Sequence, residues 1–322
     1  MTDNNTRVSI AMATYNGERY LRQQLDSILR QTHSDFELVI CDDCSTDSTW
    51  SILQEYLVKD PRLHCYKNEQ NLGYRKNFEK AINLCQSDYI AFCDQDDIWL
   101  EYHLETLLAT IGDKQLCCGK FLFIDETENL IGNAEAEHGK TLVKYAEDDH
   151  KRLKYLLYNS PFYQGASMLI HKSLVPNVFP IPGTMSHDLW IASLCSASRS
   201  FASADKVITL WRQHGNNTSY DKRLVTTNVI KITRDISYQK IRSGRESRYE
   251  QCCELLKRVP DMDIDIKNTI ISAKNFYRNS DKMLFRILYT PIFLANIRDN
   301  LRRKPKWIWT LLRLARFWIY YK

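Results

Sequence analysis

Glycine-rich phosphate loops are missing from this chain. Its 10 glycines in 322 residues form neither a GxGxxG nor a GxxxxGK[ST] run. Such loops hold phosphate on backbone amides at a helix N-terminus, so their absence speaks against a dehydrogenase and against a P-loop ATPase. Long apolar runs are lacking too. Met1 to Arg7 is polar and offers no signal-peptide core. Ile287 to Ile297, the longest uncharged stretch of the C-terminal part, contains a proline and falls short of the roughly 18–20 residues that cross a bilayer. The ten cysteines show no secreted-domain spacing: Cys41 and Cys93 lie in apolar runs, while Cys117-Cys118 and Cys252-Cys253 are adjacent pairs. Reduced thiols in a cytosolic protein are expected. Cys41 and Cys44 have CxxC spacing but enclose Asp42-Asp43 and have no second ligand pair nearby, so zinc or redox use is not expected.

What is present is an alternation of short apolar strands and amphipathic helices. Val8–Ala13 reads as a buried strand, followed by the Thr14–Gly17 turn and a helix with Leu21, Leu25, Ile28 and Leu29 on one face. Phe36–Cys41 is a second strand ending at Asp42-Asp43, and Ser45-Thr46-Asp47 supplies N-cap chemistry for a helix using Ile52, Leu53, Tyr56 and Leu57. Leu63–Tyr66 and Tyr89–Cys93 read as the third and fourth strands, with an Asn71-Leu72-Gly73 turn and a helix between them, and Ile98–Ile111 reads as the next helix. Such βαβ spacing predicts a mostly parallel sheet over residues 1–111. Asn16, Asp43, Asn71 and Asp94 each lie just past a strand, so all four should meet at one sheet edge, where ligands of open α/β sheets bind.

The fourth strand ends in Asp94-Gln95-Asp96-Asp97. Three carboxylates so close repel one another unless a cation or solvent neutralises them, and hard oxygen ligands suit Mg²⁺ or Mn²⁺. A polar loop capping the following helix would account for Asp96 or Asp97, but not for all three acids.

Val8–Gly17 with Glu18, Leu25–Thr32, Phe36–Asp43 with Ser45-Thr46-Asp47, and Asp94–Trp99 together resemble a family 2 glycosyltransferase of the GT-A fold. The likeness is close over residues 8 to about 100 and sparser to about 220. It implies an α/β fold with a mostly parallel Rossmann-like sheet and flanking helices. The transferase domain would span 1–225 (1–111 nucleotide-binding, 112–225 acceptor-side), with a helical, basic and aromatic region over 226–322. The donor it implies is a nucleoside diphosphate sugar, bound by Thr14, Tyr15, Asn16, Glu18, Asp43, Asn71, Asp94, Gln95 and Arg212. Asp43 matches the acid that accepts the pyrimidine ring N–H, as a carboxylate can; a turn acid is the alternative. Glu18 could equally be a first-turn helix glutamate. The resemblance places a divalent cation, Mn²⁺ or Mg²⁺, on Asp96 first, with Asp94 and His214 as further ligands, while Asp97 could cap the next helix.

On the acceptor side the resemblance marks Gln164 and Gly165, then His187, Asp188 and Trp190. Asp188 matches the base that takes the acceptor hydroxyl proton in an inverting transfer; an N-cap role for it is also open, as is a plain loop role for His187. Trp211–Asn217 resembles a late motif of rhamnosyltransferase-like members, with Arg212 and His214 closing over the diphosphate. The first expectation is therefore rhamnosyl transfer from a deoxythymidine diphosphate sugar to a polyprenyl-diphosphate-linked glycan of a bacterial surface polysaccharide. Hexosyl or N-acetylhexosaminyl transfer from a uridine diphosphate sugar is the alternative. A sugar nucleotidyltransferase would carry a Gly-rich basic loop after strand one, which Thr14–Gly17 lacks, and a non-catalytic scaffold would not need Asp94, Asp96 and Asp188.

Charge adds a location. Residues 271–322 hold 12 Lys/Arg against 2 Asp/Glu, whereas 1–270 hold 32 against 37. Ile308, Leu311, Leu312, Ala315, Trp318 and Ile319 repeat at helical spacing, with Lys306, Arg313 and Arg316 near another face. A basic amphipathic helix with tryptophans is expected to lie on an anionic membrane surface, at the inner face of the cell membrane; packing on the core is the alternative. No nucleic-acid partner is expected.

Overall fold

Strands β1 (Val8–Thr14), β2 (Phe36–Asp42), β3 (Leu63–Lys67) and β4 (Tyr89–Cys93) alternate with helices α1 (Leu21–Leu29), α2 (Thr49–Lys59) and α3 (Tyr74–Leu84) in the computed structural model, which describes residues 6–131, 147–158, 163–183, 185–215 and 238–279. The alternation follows from residue choice. β1, β2 and β4 are apolar and almost entirely buried because helices cover both faces of a parallel sheet. Leu21, Leu25 and Ile28 of α1 and Ile52 and Leu53 of α2 are buried against the strands, and each such side chain contributes about 1.5–3 kcal/mol. Helix α3 begins at Gly73, whose φ of +79° an L side chain rarely adopts.

The sheet continues past β4 through β7 (Met168–His171), β6 (Leu116–Ile124), β8 (Phe201–Arg212) and β5 (Ile98–Trp99), in the order β3-β2-β1-β4-β7-β6-β8-β5. Pairings β3-β2-β1-β4 are parallel, as expected for residues 1–111. Beyond them β7 runs antiparallel to both β4 and β6, and β8 parallel to β6, so the whole sheet is mixed. The helix expected over Ile98–Ile111 is shorter, α4 (His103–Ile111). Ile98 and Trp99 instead pair antiparallel with Leu210 and Thr209 of β8, and the Trp99 N–H donates to Ser27 Oγ of α1 at 3.1 Å.

Two compact units are interleaved in sequence. The first draws on Met1–Glu147, Phe162–Phe179 and Ser200–Leu224 and contains the sheet. The second draws on Asp148–Pro161, Pro180–Arg199 and Val225–Lys322. Its described helices are α5 (Asp149–Tyr158), α7 (His187–Ala197), α8 (Tyr238–Arg258) and α9 (Ile264–Asn279); the short α6 (Val175–Val178) belongs to the first unit. Leu153, Leu156, Trp190, Leu194, Leu255, Ile270 and Phe276 form the interior of the second unit. Arg152 is also wholly buried there, donating from Nε to Ser196 Oγ at 2.9 Å and pairing with Asp149. Among the described residues no helix is long and apolar enough to cross a membrane. The basic aromatic segment from Lys306 onward lies outside the described residues.

Candidate active site

The carboxyl ends of β1, β2 and β4 deliver their turns to one edge of the sheet, and side chains stitch these turns together. Asn16, in the left-handed region at φ +46°, accepts from Thr46 N at 2.8 Å through its side-chain oxygen, while its own N–H donates to Ser45 Oγ at 2.9 Å. Thr14 is buried and donates to Asp42 at 3.0 Å. Glu18 accepts from Ser48 N at 2.8 Å at the start of α2. The Gln95 side chain forms a two-point pair with the Tyr15 backbone, accepting at 2.9 Å and donating at 3.0 Å. That pair requires Gly17, since a Cβ there would stand 2.3 Å from Gln95 Oε1. The Tyr15 side chain remains about half exposed at this edge.

Asp43 is buried at the same edge. Its Oδ1 accepts from Asn68 Nδ2 at 2.8 Å and Leu72 N at 2.7 Å, and its Oδ2 accepts from Gly73 N at 2.9 Å. Asn71 donates to the Asp43 carbonyl at 3.2 Å. Asp43 therefore organises the turn after β3, which is the turn role the sequence left open, and Oδ2 takes a single backbone donor among the described residues.

The acid cluster divides by environment. Asp94 is partly buried. Asp96 lies 2.9 Å from His214 Nε2, with side-chain exposures of 16% and 10%. Asp97 is fully buried; Gln164 Nε2 donates to it at 2.6 Å and the Arg212 backbone N–H at 3.0 Å. It caps no helix. Burial, reinforced by Asp96 and then Asp94, pushes Asp97 well above the usual carboxylate range, against the hydrogen bonds from Arg212 and Gln164.

Arg212 is fully buried. Its guanidinium donates to the Asp96 carbonyl at 3.0 Å, the Asp125 and Glu126 carbonyls at 3.4 and 3.5 Å, and Gln23 Oε1 at 2.8 Å. These contacts place Arg212 under the acid loop as a brace, where the sequence suggested a direct counter-charge to the diphosphate. The Tyr20 ring packs 4.6 Å from the Arg212 guanidinium and 4.9 Å from the His214 ring. Sequence reasoning missed Tyr20 and Gln23, which read there as ordinary helix residues. Gln164 and Gly165, expected beside an acceptor, are buried, and Gln164 is turned onto Asp97.

In the second unit, Asp188 stands in the first turn of α7 and accepts from Leu189 N at 2.7 Å. His187 is buried, and burial lowers its pKa against the opposing pull of Asp188. Trp190 is wholly buried, with the Arg258 guanidinium 5.2 Å from its ring, so it serves the interior of this unit.

A divalent cation fits the Asp96–His214 pair by donor chemistry. One carboxylate and one imidazole face each other at coordination range among neighbouring acids that repel. Among the described residues no three His, Cys, Asp or Glu side chains converge into a complete cage. An ion held here would take its remaining ligands from phosphate and water, as Mg²⁺ and Mn²⁺ commonly do.

Comparison with known proteins agrees with this architecture. The family model for Glycosyl transferase family 2 matches residues 9–179. The UDP-Glc:alpha-D-GlcNAc-diphosphoundecaprenol beta-1,3-glucosyltransferase WfaP of Escherichia coli is 40% identical over 221 residues, covering 67% of this chain and 80% of WfaP. The crystal structure of S. aureus TarS 1-349 is similar with a TM-score of 0.56 at 17% identity, covering 97% of this chain and 80% of that one. Mannosyltransferase PcManGT from Pyrobaculum calidifontis, solved with GDP-Man and Mn²⁺, is similar with a TM-score of 0.56 at 13% identity, covering 100% and 88%. The two structures support the GT-A fold.

Proposed function

This chain belongs to glycosyl transferase family 2, and from that premise we propose that it moves a hexose, with inversion, from a nucleoside diphosphate donor to a saccharide on a lipid diphosphate. The observation that carries the reading is the Asp96–His214 pair beyond the carboxyl end of β4, 2.9 Å apart, with Asp96 partly exposed and His214 buried. Asp96 and His214 would hold a divalent cation, with phosphate and water supplying its other ligands. When bound, the cation supplies positive charge for the departing diphosphate.

The chain's own residues do the rest. The Tyr15–Gln95 pair and the Asn16 turn shape the donor edge. Asp43 Oδ2, with one backbone donor from Gly73, has capacity for the imide N–H that uracil and thymine share. Asp188 is the proposed base. The acceptor oxygen attacks the anomeric carbon from the face opposite the diphosphate, and its proton passes to the Asp188 carboxylate. The bond from the anomeric carbon to the diphosphate oxygen breaks, and its electron pair leaves with the diphosphate.

The activity named for WfaP favours the reverse of the order of donors expected from sequence. A uridine diphosphate hexose, UDP-glucose foremost, is proposed first, and a deoxythymidine diphosphate rhamnose second. A lipid-linked acceptor and the basic C-terminal segment together support work at the inner membrane face. The test is thermal shift and donor hydrolysis with UDP-glucose, UDP-galactose, UDP-N-acetylglucosamine and dTDP-L-rhamnose, each with Mn²⁺ or Mg²⁺. The largest response should come from a UDP-hexose, require the cation, and disappear in Asp96→Ala. A response to dTDP-L-rhamnose alone would reassign the donor, and none to any nucleotide would remove the reading.

A further inference from the structure

Three segments distant in sequence meet on one buried carboxylate. Asp97 Oδ1 accepts from the Arg212 backbone at 3.0 Å and Oδ2 from Gln164 at 2.6 Å, with the residue fully buried. Arg212 reciprocates, its Nε donating to the Asp96 carbonyl at 3.0 Å. The side chain of each residue thus grips the backbone of the other's strand end. Asp96 precedes Asp97 by one residue and His214 follows Arg212 by two, so this double grip sits directly behind the 2.9 Å Asp96–His214 contact. Gln164 is itself held, since its Oε1 lies 3.2 Å from Ser167 Oγ, which reaches Thr209 Oγ1 at 2.9 Å.

We propose that Asp97 is a positioning residue and not a cation ligand: held by Gln164 and the Arg212 backbone, it sets the spacing of Asp96 from His214. The inference rests on reading that pair as the cation's holders. Asp96 keeps partial exposure, while both Asp97 oxygens already face donors inside the fold. Partners that orient ligands without touching the metal commonly change its affinity 10–100-fold. Gln164 is then a strut of the acid loop rather than an acceptor contact.

A swap of hydrogen-bond polarity separates positioning from ligation. In Asp97→Asn the new amide N–H₂ faces the Gln164 N–H₂ until Gln164 turns its amide over and donates to Ser167 Oγ instead, whereas in Gln164→Glu two carboxylates face each other and no turn relieves them. Combining Asp97→Asn with Gln164→Glu restores donation in the opposite sense, from the introduced amide to the introduced carboxylate. The amide oxygen at position 97 still accepts from Arg212 N, and the carboxylate at position 164 still accepts from Ser167. Mn²⁺ affinity in the presence of UDP, read by electron paramagnetic resonance, should fall about 10-fold or more in Gln164→Glu and return to within about 3-fold in the double. A double variant as weak as Gln164→Glu, or a Gln164→Glu protein of full affinity, would overturn the proposal. Circular dichroism melting confirms folding; should a variant fail to fold, Gln164→Met carries the test, with about 10-fold weaker binding supporting the strut and unchanged binding refuting it. Asp96→Ala separates the two readings. If it abolishes Mn²⁺ binding, a failed swap counts against Asp97's role alone; if it binds fully, the cation pair falls and the positioning role with it.

Discussion

The two units use polar side chains in opposite ways. At the sheet edge of the first unit, Asn16, Asp43, Glu18 and Gln95 spend their hydrogen bonds on nearby backbone amides and shape turns. In the second unit polar side chains reach between helices: Arg152 to Ser196, Gln251 to Ser193, Arg248 to the Leu156 carbonyl and Tyr277 to the Leu157 carbonyl. Turn-shaping groups leave the strands' apolar core to carry stability, so losing one is expected to cost affinity for the proposed donor more than fold. Interhelical groups are buried in the core itself, and an unpaired buried group costs stability.

Asp188 offers the sharpest way to break that contrast, because it lies in the helical unit and is proposed to act on chemistry. Asp188→Asn should lower transfer by about 10³-fold, within the usual range for general acid–base groups, and leave donor affinity and melting temperature unchanged. Radiolabelled sugar transfer beside nucleotide titration reads both. Full turnover would return Asp188 to a plain first-turn residue of α7.

Arg152→Met comes next in size. The guanidinium is wholly buried, whereas Asp149 keeps 23% side-chain exposure, so solvent relieves part of the charge left behind. A loss of about 3 kcal/mol is expected, the low end for breaking a buried pair. Urea unfolding measures it. A loss below about 1 kcal/mol would mean that the interior of the second unit does not depend on the Arg152 guanidinium.

Legibility in the sequence follows the same divide. β1, β2 and β4 are mostly apolar runs ended by polar turns, and local pattern suffices to find them and the edge they share. The acid cluster was visible because its three carboxylates lie within four residues. What decides the role of each acid was not local: the partner of Asp97 is Gln164, 67 residues away, and the brace of Asp96 is Arg212, 116 residues away. β5 was hidden because its pairing with β8 closes only through the tertiary fold, and Ile98-Trp99 continues smoothly into helical spacing. The interleaving of the second unit likewise depends on α5 and α7 packing with α8 and α9, which no turn residue announces.

His103, like Asp97, is a polar side chain buried inside the first unit, and it is spent on stability. It begins α4, is wholly buried, and stacks on Trp99 with centroids 3.8 Å apart and planes 6° apart. Its Nδ1 lies 3.1 Å from the Ile208 carbonyl, which can only accept, so the neutral ring carries its proton there. Burial holds its pKa down at about 3, against the Ile208 hydrogen bond. Below the ordinary value of 6.5 the unfolded chain binds a proton that the folded chain refuses until about pH 3. The stability His103 contributes is therefore complete above about pH 6.5 and lost as pH falls toward 3. Between about pH 7.5 and pH 5 the loss is about 2 kcal/mol. His103→Phe keeps a stacking ring and removes the titration, so the difference in urea stability between those two pH values should shrink by about 2 kcal/mol relative to the parent chain. An equal pH loss in both proteins would mean that His103 takes up its proton in the folded state as readily as in the unfolded chain.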